Sequence, residues 1–175
     1  MSSTGHATTR LVVLRGNSAS GKSSLAMALR ERPMSVVQQD HLRRIVLKER
    51  DGNDPASLAP TLIDQTVRFC LDHGKDVILE GILYADKYRL MILALLADHL
   101  GTNHVYYLDI PFEETARRHE TRPLRDEFTV EAMSDWYIPA DALGVPDEVV
   151  IGSESTFEET LARIHADLDA APPGR

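Results

Sequence analysis

Hydrophobic residues fall into five short runs along the chain, and segments with helical spacing lie between them. The first run, LVVL at 11–14, is continuous and lies just before a glycine, which is typical of a strand buried on both faces. Because apolar strands alternate with helices, the pattern predicts an α/β fold with a parallel sheet covered on both faces. The five predicted strands are 11–14, 35–39, 76–79, 104–108 and 148–151.

The predicted helices carry apolar residues at the spacing of one helical face. Pro33 ends the first helix, and Pro111 begins the helix after the fourth strand. Thr156 and Glu159 form the sequence of a capping box. The segment 86–100 is apolar on most sides, so we expect it to be buried. Other predicted helices are 21–32, 40–50, 61–73, 129–137 and 156–168, and 51–60 is a predicted loop.

Length and composition indicate a single domain. The chain has 175 residues, of which 43% are hydrophobic and 26% are charged. We expect one domain at 10–170 between disordered tails at 1–9 and 171–175. Cys70 is the single cysteine, the N-terminus has no apolar signal region, and the longest apolar run has eight residues. These features predict a cytoplasmic protein with no membrane segment.

The net charge of −8 is distributed unevenly along the chain. Residues 1–125 contain 17 Lys and Arg against 15 Asp and Glu, whereas residues 126–175 contain 2 against 12. This balance argues against a dominant basic face for nucleic acid and leaves room for a local basic pocket in the first part. We expect the acidic part to form a solvated helical surface.

A glycine-rich motif directly follows the first predicted strand. Residues 16–23 read GNSASGKS and match the phosphate-binding pattern G-x-x-x-x-G-K-S/T. Small residues let backbone N–H groups surround phosphate oxygens, and the next helix adds its positive dipole end. Lys22 is expected to reach the β- and γ-phosphates of ATP, and Ser23 to ligate Mg²⁺. The predicted nucleotide-binding residues are Gly16, Asn17, Ser18, Ala19, Ser20, Gly21, Lys22, Ser23 and Ser24.

The motif predicts a nucleoside triphosphate site but does not define a reaction. The sequence lacks the N-K-x-D run with which GTPases recognise the base, and 175 residues are too few for a large mechanochemical ATPase. Small kinases remain, in which residues after the second strand meet the acceptor.

Two charged residues lie at the predicted end of the second strand. Asp40 follows Lys22 by eighteen residues, and the carboxyl ends of parallel strands face the ligand crevice. Its carboxylate is a candidate base for an acceptor hydroxyl, or an N-cap of the following helix. Arg43, one turn later, is a candidate ligand for an anionic acceptor or the γ-phosphate, or a surface arginine.

Further candidates follow the third strand. Glu80 is expected either to hold a Mg²⁺-bound water or to bind the acceptor, the alternative being a structural, ion-paired glutamate. Tyr84 and Asp86 are predicted to line the acceptor pocket. Trp136 either stacks on a ring of the acceptor or packs within the fold.

The order of these motifs resembles that of the P-loop kinases. The phosphate loop, the D-x-x-R sequence at 40–43 and an arginine-rich segment at 117–125 are similar to those of chloramphenicol phosphotransferase, the zeta-toxin kinases and polynucleotide 5′-hydroxyl kinase. The likeness in layout covers nearly the whole chain, and the phosphate loop is its most specific part. It implies a three-layer α/β/α fold with five parallel strands, similar to nucleoside monophosphate kinases, and Asp40 as the acceptor-activating base.

In similar kinases the arginine segment belongs to a lid that closes over the γ-phosphate. The resemblance places such a lid at about residues 114–140. Arg118 and Arg122 are four residues apart and share one face if the segment is helical. We expect these two to act on the phosphate; the alternative is a solvated basic helix face paired with neighbouring glutamates.

Three functions remain open from the sequence. The first is an ATP- and Mg²⁺-dependent phosphotransferase that acts on a hydroxyl of a nucleoside, a sugar, a nucleotide-sugar or an antibiotic. The second is a polynucleotide 5′-hydroxyl kinase, which D-x-x-R supports and the acidic balance weakens. The third is a regulatory nucleotide-binding protein, which would need no acceptor-side base. The sequence indicates neither the acceptor nor the oligomeric state.

Overall fold

The computed structural model describes residues 3–50, 54–120 and 129–170. All five predicted strands are present, and both ends of each strand lie within two residues of the predicted ends. The strands are β1 Arg10–Gly16, β2 Met34–Gln38, β3 Asp76–Gly81, β4 Thr102–Asp109 and β5 Glu148–Gly152.

The strands form one parallel sheet in the order β2-β3-β1-β4-β5. β1 lies at the centre, where Leu14 pairs with Glu80 on one side and with Tyr106 on the other. In open parallel sheets, ligands bind beyond the carboxyl ends of the strands, where the strand order reverses. The loop after β1 therefore lies at the place where this fold binds ligands.

Six α-helices and one π-helix connect the strands in the described part of the chain. Thr156 and Glu159 form the predicted capping box, each side chain accepting from the backbone N–H of the other. None of the described helices is long and apolar enough to cross a bilayer. The helices are α1 Lys22–Leu29, the π-helix His41–Val46, α2 Ala59–Asp72, α3 Ala85–Asp98, α4 Phe112–Glu120, α5 Val130–Trp136 and α6 Phe157–Asp169.

Two hydrophobic clusters fill the space on either side of the sheet. Ile63 of α2 and Ile92 of α3 pack on one face of the sheet, and Leu25 of α1 and Ile164 of α6 pack on the other. The arrangement confirms the predicted three-layer α/β/α fold. Helix α3 is less buried than predicted, because Leu90 on its outer side is 83% exposed.

The predicted helix at 40–50 is instead a short π-helix. Leu47 N–H donates to the carbonyl of Leu42, five residues earlier, and Lys48 has a positive φ of 57° that ends the helical backbone. Apolar spacing does not separate these cases, because Leu42, Ile45 and Val46 suit a π-turn as well as an α-helix. π-turns are frequent at functional sites.

The first described residues correct the prediction of a disordered tail at 1–9. Thr4 is buried and forms a parallel bridge with His99. The Thr4 hydroxyl and the Gly5 N–H both donate to the carboxylate of Asp72, at 2.7 and 2.6 Å, and these bonds lower the pKa of that carboxyl. These small polar residues are typical of a tail, yet they form hydrogen bonds with Asp72 at the end of α2 and with Thr102 at the start of β4.

Candidate active site

The loop from Gly16 to Gly21 has a backbone that only small residues adopt easily. Gly16 and Gly21 have φ values of 148° and 107°, and Ala19 is left-handed at 61°. A Cβ on Gly16 would lie 2.7 Å from the carbonyl oxygen of Leu108. The hydroxyl of Ser20 is buried and has no hydrogen-bond partner among the described residues. A loop that ends at a helix N-terminus and contains an unsatisfied hydroxyl fits a phosphate group.

The Lys22 side chain folds back over this loop. Its Nζ donates to the carbonyl oxygen of Asn17 at 3.0 Å, and the residue is 7% exposed. The Ser20 N–H donates to the same carbonyl. The Lys22 ammonium group therefore contacts the loop in which phosphate is predicted to bind.

Ser23 and Glu80 form an oxygen pair beside the loop. The Ser23 hydroxyl lies 3.2 and 3.3 Å from the two carboxylate oxygens of Glu80, and Gln38 donates to one of them at 2.9 Å. Both donors are neutral, so the described contacts do not include the ion pair of the structural alternative. An alcohol and a carboxylate fit Mg²⁺, which binds through few protein oxygens and through substrate phosphates. No group of three or more His, Cys, Asp or Glu suited to a metal occurs among the described residues.

Asp40 lies two residues after the end of β2 and immediately before the π-helix. Its side chain is 60% exposed and makes no capping hydrogen bond to that helix. Arg43 Nη2 donates to Asp40 Oδ1 at 3.1 Å. The carboxylate is thus oriented by one arginine and remains open to solvent, and the capping alternative is not observed.

Arg43 contacts the protein more than it contacts solvent. Its side chain is 13% exposed, and besides Asp40 it donates to the carbonyl oxygens of Glu49 and Arg50. In this arrangement Arg43 orients Asp40 and the chain after the π-helix. Its buried Nε has no hydrogen-bond partner among the described residues, and the role of Arg43 toward an anionic acceptor or the γ-phosphate stays a prediction.

Gln39 fixes the turn between β3 and α3, a role that the sequence analysis missed. Its Oε1 accepts from the Leu83 N–H, and its Nε2 donates to the Tyr88 hydroxyl. A Cβ on Gly81 would collide with this glutamine, so Gly81 permits the close approach. A polar residue between an apolar strand and Asp40 was the available signal.

A pocket of about 440 Å³ lies beside this turn. Tyr84 donates its hydroxyl proton to the Trp136 carbonyl oxygen at 2.6 Å. Burial, reinforced by the Asp141 charge, raises the pKa of Tyr84 to about 12, so Tyr84 stays a neutral donor at physiological pH. The pocket is lined by Asp54, Pro55, Ser57, Pro60, Tyr84, Asp86, Lys87, Asp135, Trp136 and Ile138.

Helix α4 brings Arg118 to the phosphate loop. Arg118 Nη1 donates to the Ser20 carbonyl oxygen at 3.1 Å, and its Nε donates to Glu114 at 2.6 Å. Hydrogen bonds from Arg117 and Arg118 lower the pKa of Glu114 to about 2. The predicted partner Arg122 lies outside the described residues, as do residues 121–128 of the predicted lid.

A buried ion cluster, which the sequence did not predict, joins the central strand to the turn before α3 and to β5. Arg15 of β1 is fully buried and donates to the Leu83 carbonyl, to Asp141 and to Glu148. The Ala85 N–H, at the start of α3, donates in turn to the Asp141 carboxylate. Burial is the main cause of the lowered pKa of Arg15 and of the raised pKa of Asp141. The signal was a charged residue inside an apolar strand.

Replacing Arg15 by methionine should strongly destabilise the fold. The change leaves the carboxylates of Asp141 and Glu148 without their cation, and breaking a buried pair costs about 3–5 kcal/mol. Urea unfolding measures the loss in unfolding free energy. The difference from the wild-type protein should become smaller at acidic pH, because the two carboxylates are then protonated and no longer need a cation. Arg10→Met is the control, because Arg10 pairs with Asp76 at the exposed end of the same strand and should cost at most about 1 kcal/mol. Equal losses in the two variants would contradict this interpretation.

The sequence matches the AAA domain family over residues 11–151. No curated protein matches it significantly. Among solved structures, the APS kinase of Mycobacterium tuberculosis in complex with AMPPNP and APS is 21% identical, with a TM-score of 0.70 over 93% of this chain and 98% of that one. A sugar kinase from Janibacter sp. is 19% identical, with a TM-score of 0.71 over 94% and 96%. The tunicamycin resistance protein of Deinococcus radiodurans is 16% identical, with a TM-score of 0.64 over 94% and 100%.

These likenesses extend over almost the full length of both chains in each pair. At such identities they show a shared fold, and they confirm the predicted P-loop fold of the small-kinase type.

Proposed function

The chain belongs to the AAA domain family and has the fold of small P-loop kinases, and on this basis we propose that it is an ATP- and Mg²⁺-dependent kinase for a hydroxyl group of a small molecule. One observation carries the proposal. The exposed carboxylate of Asp40, held by Arg43, lies at the carboxyl end of β2, on the same edge of the sheet as the phosphate loop. A regulatory nucleotide-binding protein needs no such acceptor-side carboxylate.

In the proposed reaction, the acceptor oxygen attacks the γ-phosphorus of ATP and ADP leaves. Asp40 accepts the hydroxyl proton as the new P–O bond forms and the bond to the β-phosphate oxygen breaks. Lys22 and Arg118 neutralise the charge that develops on the phosphate oxygens. Ser23 and Glu80 are the residues that would hold Mg²⁺, which supplies further charge neutralisation at the β- and γ-phosphates.

The charge of the pocket favours a neutral or cationic acceptor. Three carboxylates, those of Asp54, Asp86 and Asp135, line it together with one ammonium group, that of Lys87. The Lys87 ammonium also donates to the Asp54 carbonyl oxygen. An acceptor rich in phosphate would meet net repulsion here, which weighs against a polynucleotide 5′-end. The sugar kinase and the tunicamycin resistance protein, by their names, agree with a sugar or an antibiotic.

The aromatic residues of the pocket support an acceptor that contains a ring. Trp136 is one of the lining residues, and Tyr84 donates to the backbone carbonyl of this tryptophan. Aromatic side chains bury the flat faces of sugars and heterocycles well. We therefore propose a hydroxylated ring compound, such as an amino sugar, a nucleoside or a glycosylated antibiotic.

An acceptor screen with Mg-ATP tests this proposal. Neutral sugars, amino sugars, nucleosides, glycosylated antibiotics, sugar phosphates and a 5′-hydroxyl oligonucleotide are incubated with the protein, and products are scored by mass. We expect transfer to a neutral or cationic member. Selective phosphorylation of the oligonucleotide would establish the polynucleotide alternative. Tight ATP binding with no transfer to any acceptor would favour the regulatory one.

Replacing Arg118 by alanine should lower turnover more than ATP affinity. Its guanidinium touches the phosphate loop and is expected to act on charge that grows during transfer. We expect a loss on the order of 10² in kcat, since arginines in this role supply up to about 10³–10⁵ elsewhere. Steady-state kinetics and ATP calorimetry separate the two quantities.

Arg117→Ala is the matched control for this variant. Arg117 pairs with the same Glu114, and its side chain is 69% exposed. Near-normal turnover is expected for Arg117→Ala. If Arg118→Ala behaved in the same way, the segment would be a solvated helix face, as in the alternative interpretation.

A further inference from the structure

The side chain of Asn17 joins the phosphate loop to the wall of the acceptor pocket. Its Nδ2 donates to the Ile138 carbonyl oxygen at 2.7 Å, and its Oδ1 accepts from the Ile138 N–H at 3.1 Å. Asn17 is 4% exposed, so the amide end of this pair of bonds is buried. Both polar groups of one amide are satisfied by one distant residue, 121 positions away along the chain.

Residues 136–141, which we call the acceptor wall, are held from the opposite side as well. Tyr84 donates to the Trp136 carbonyl oxygen, and Asp141 accepts from the Ala85 N–H. Trp136 and Ile138 both line the pocket. The acceptor wall is therefore hydrogen-bonded both to the phosphate loop and to the turn that begins α3.

The backbone of Asn17 also contacts the lysine of the phosphate loop. Its carbonyl oxygen accepts from the Lys22 ammonium group at 3.0 Å. In P-loop proteins the lysine binds the β- and γ-phosphates when nucleotide is present. Phosphate binding would then remove a charged donor from the Asn17 carbonyl, while the Asn17 side chain holds Ile138.

We propose that Asn17 couples the two sites, so that phosphate in the loop repositions the acceptor wall through Ile138. Asn17 is a positioning residue in this role, and the inference rests on the proposed nucleotide site. By linkage, nucleotide and acceptor then change each other's affinity by the same factor. The coupling would pass through hydrogen bonds, because Asn17 contacts both Lys22, which phosphate would displace, and the acceptor wall.

The single tryptophan of the chain makes this coupling measurable without knowledge of the acceptor. Trp136 lies in the acceptor wall. Its emission is recorded while Mg-AMPPNP is added, and again with Mg-tripolyphosphate, which has no base that could stack on the indole. We expect both to shift the emission of the wild-type protein. Binding itself is measured by calorimetry, so failure of the nucleotide site is seen separately.

Asn17→Ala should lose most of the emission shift when it is compared with the wild-type protein at Mg-AMPPNP concentrations that calorimetry shows to be saturating for each. Asn103→Ala is the matched control, since this amide also makes two hydrogen bonds, to Leu96 and His99, at the opposite end of the sheet. The control should keep the full shift. A full shift in Asn17→Ala, or none in the wild-type protein despite measured binding, would overturn the proposal.

A second variant covers the case in which Asn17→Ala no longer binds nucleotide. Ile138→Pro removes the N–H that Asn17 accepts and leaves the phosphate loop unchanged. Tyr137 has ψ of 124°, which suits a residue before proline. This variant should bind Mg-AMPPNP with a reduced shift, whereas binding with the full shift would contradict the coupling.

Discussion

Lys22→Ala is expected to reduce phosphate transfer below detection and to leave the fold intact. The ammonium group lies on the carbonyl of Asn17 within the phosphate loop, where the β- and γ-phosphates are proposed to bind. Without it, the charge that grows on the phosphates loses its nearest fixed cation. The change removes the hydrogen bond to Asn17, which is worth about 1 kcal/mol. Turnover of the screened acceptor and urea unfolding measure the two effects.

Lys75→Ala provides the control for this change. Lys75 is exposed in the turn between α2 and β3, at the end of the sheet away from the phosphate loop. Its replacement removes the same charge and should leave transfer and stability unchanged. Full activity of Lys22→Ala would remove the assignment of the phosphate loop.

Asp40→Asn is expected to lower turnover by about 10² to 10⁴ with little change in stability. The amide keeps the size of the side chain and still accepts from Arg43, but it cannot take the proton of the acceptor hydroxyl. ATP affinity should change little, because Asp40 is proposed to meet the acceptor and not the nucleotide. Turnover, ATP calorimetry and urea unfolding on one variant distinguish a base from a structural carboxylate.

Asp64→Asn is the matched control for Asp40→Asn. Asp64 also pairs with an arginine on its own helix, Arg68, but this pair lies on α2 and outside the site. It should lose a little stability and no activity. If Asp40→Asn retained turnover, the reaction would need another base, and Glu80 would be the first candidate.

The elements that the sequence predicted well are those that local patterns determine. Continuous apolar runs flanked by glycine or polar residues gave all five strands, and Thr156 with Glu159 gave the capping box. The phosphate loop was predictable because its glycines and its lysine have fixed spacing. The positions of Ser23, Glu80 and Asp40 on one edge of the sheet then followed from the parallel topology.

What the sequence left unresolved depends on contacts between distant segments. Arg43 was predicted to be either a ligand for an anion or a surface arginine, and its hydrogen bonds to carbonyls beyond the π-helix were not predictable from its spacing. The 3–9 segment looked like a tail because its partners, Asp72 and His99, lie far along the chain. The two hydrogen bonds of the Asn17 side chain go to the backbone N–H and carbonyl of Ile138. Every non-proline residue carries these groups, so no sequence pattern distinguishes them.

The buried Arg15 cluster bears on the order in which the protein folds. Arg15 lies in the first strand, and its partners Asp141 and Glu148 follow 126 and 133 residues later. Closing loops of this length is entropically costly and slow, so these contacts form after the local ones. During synthesis the guanidinium must stay hydrated until residues 141–148 have left the ribosome. The central strand, and the phosphate loop attached to it, thus acquire their final anchors at the end of folding.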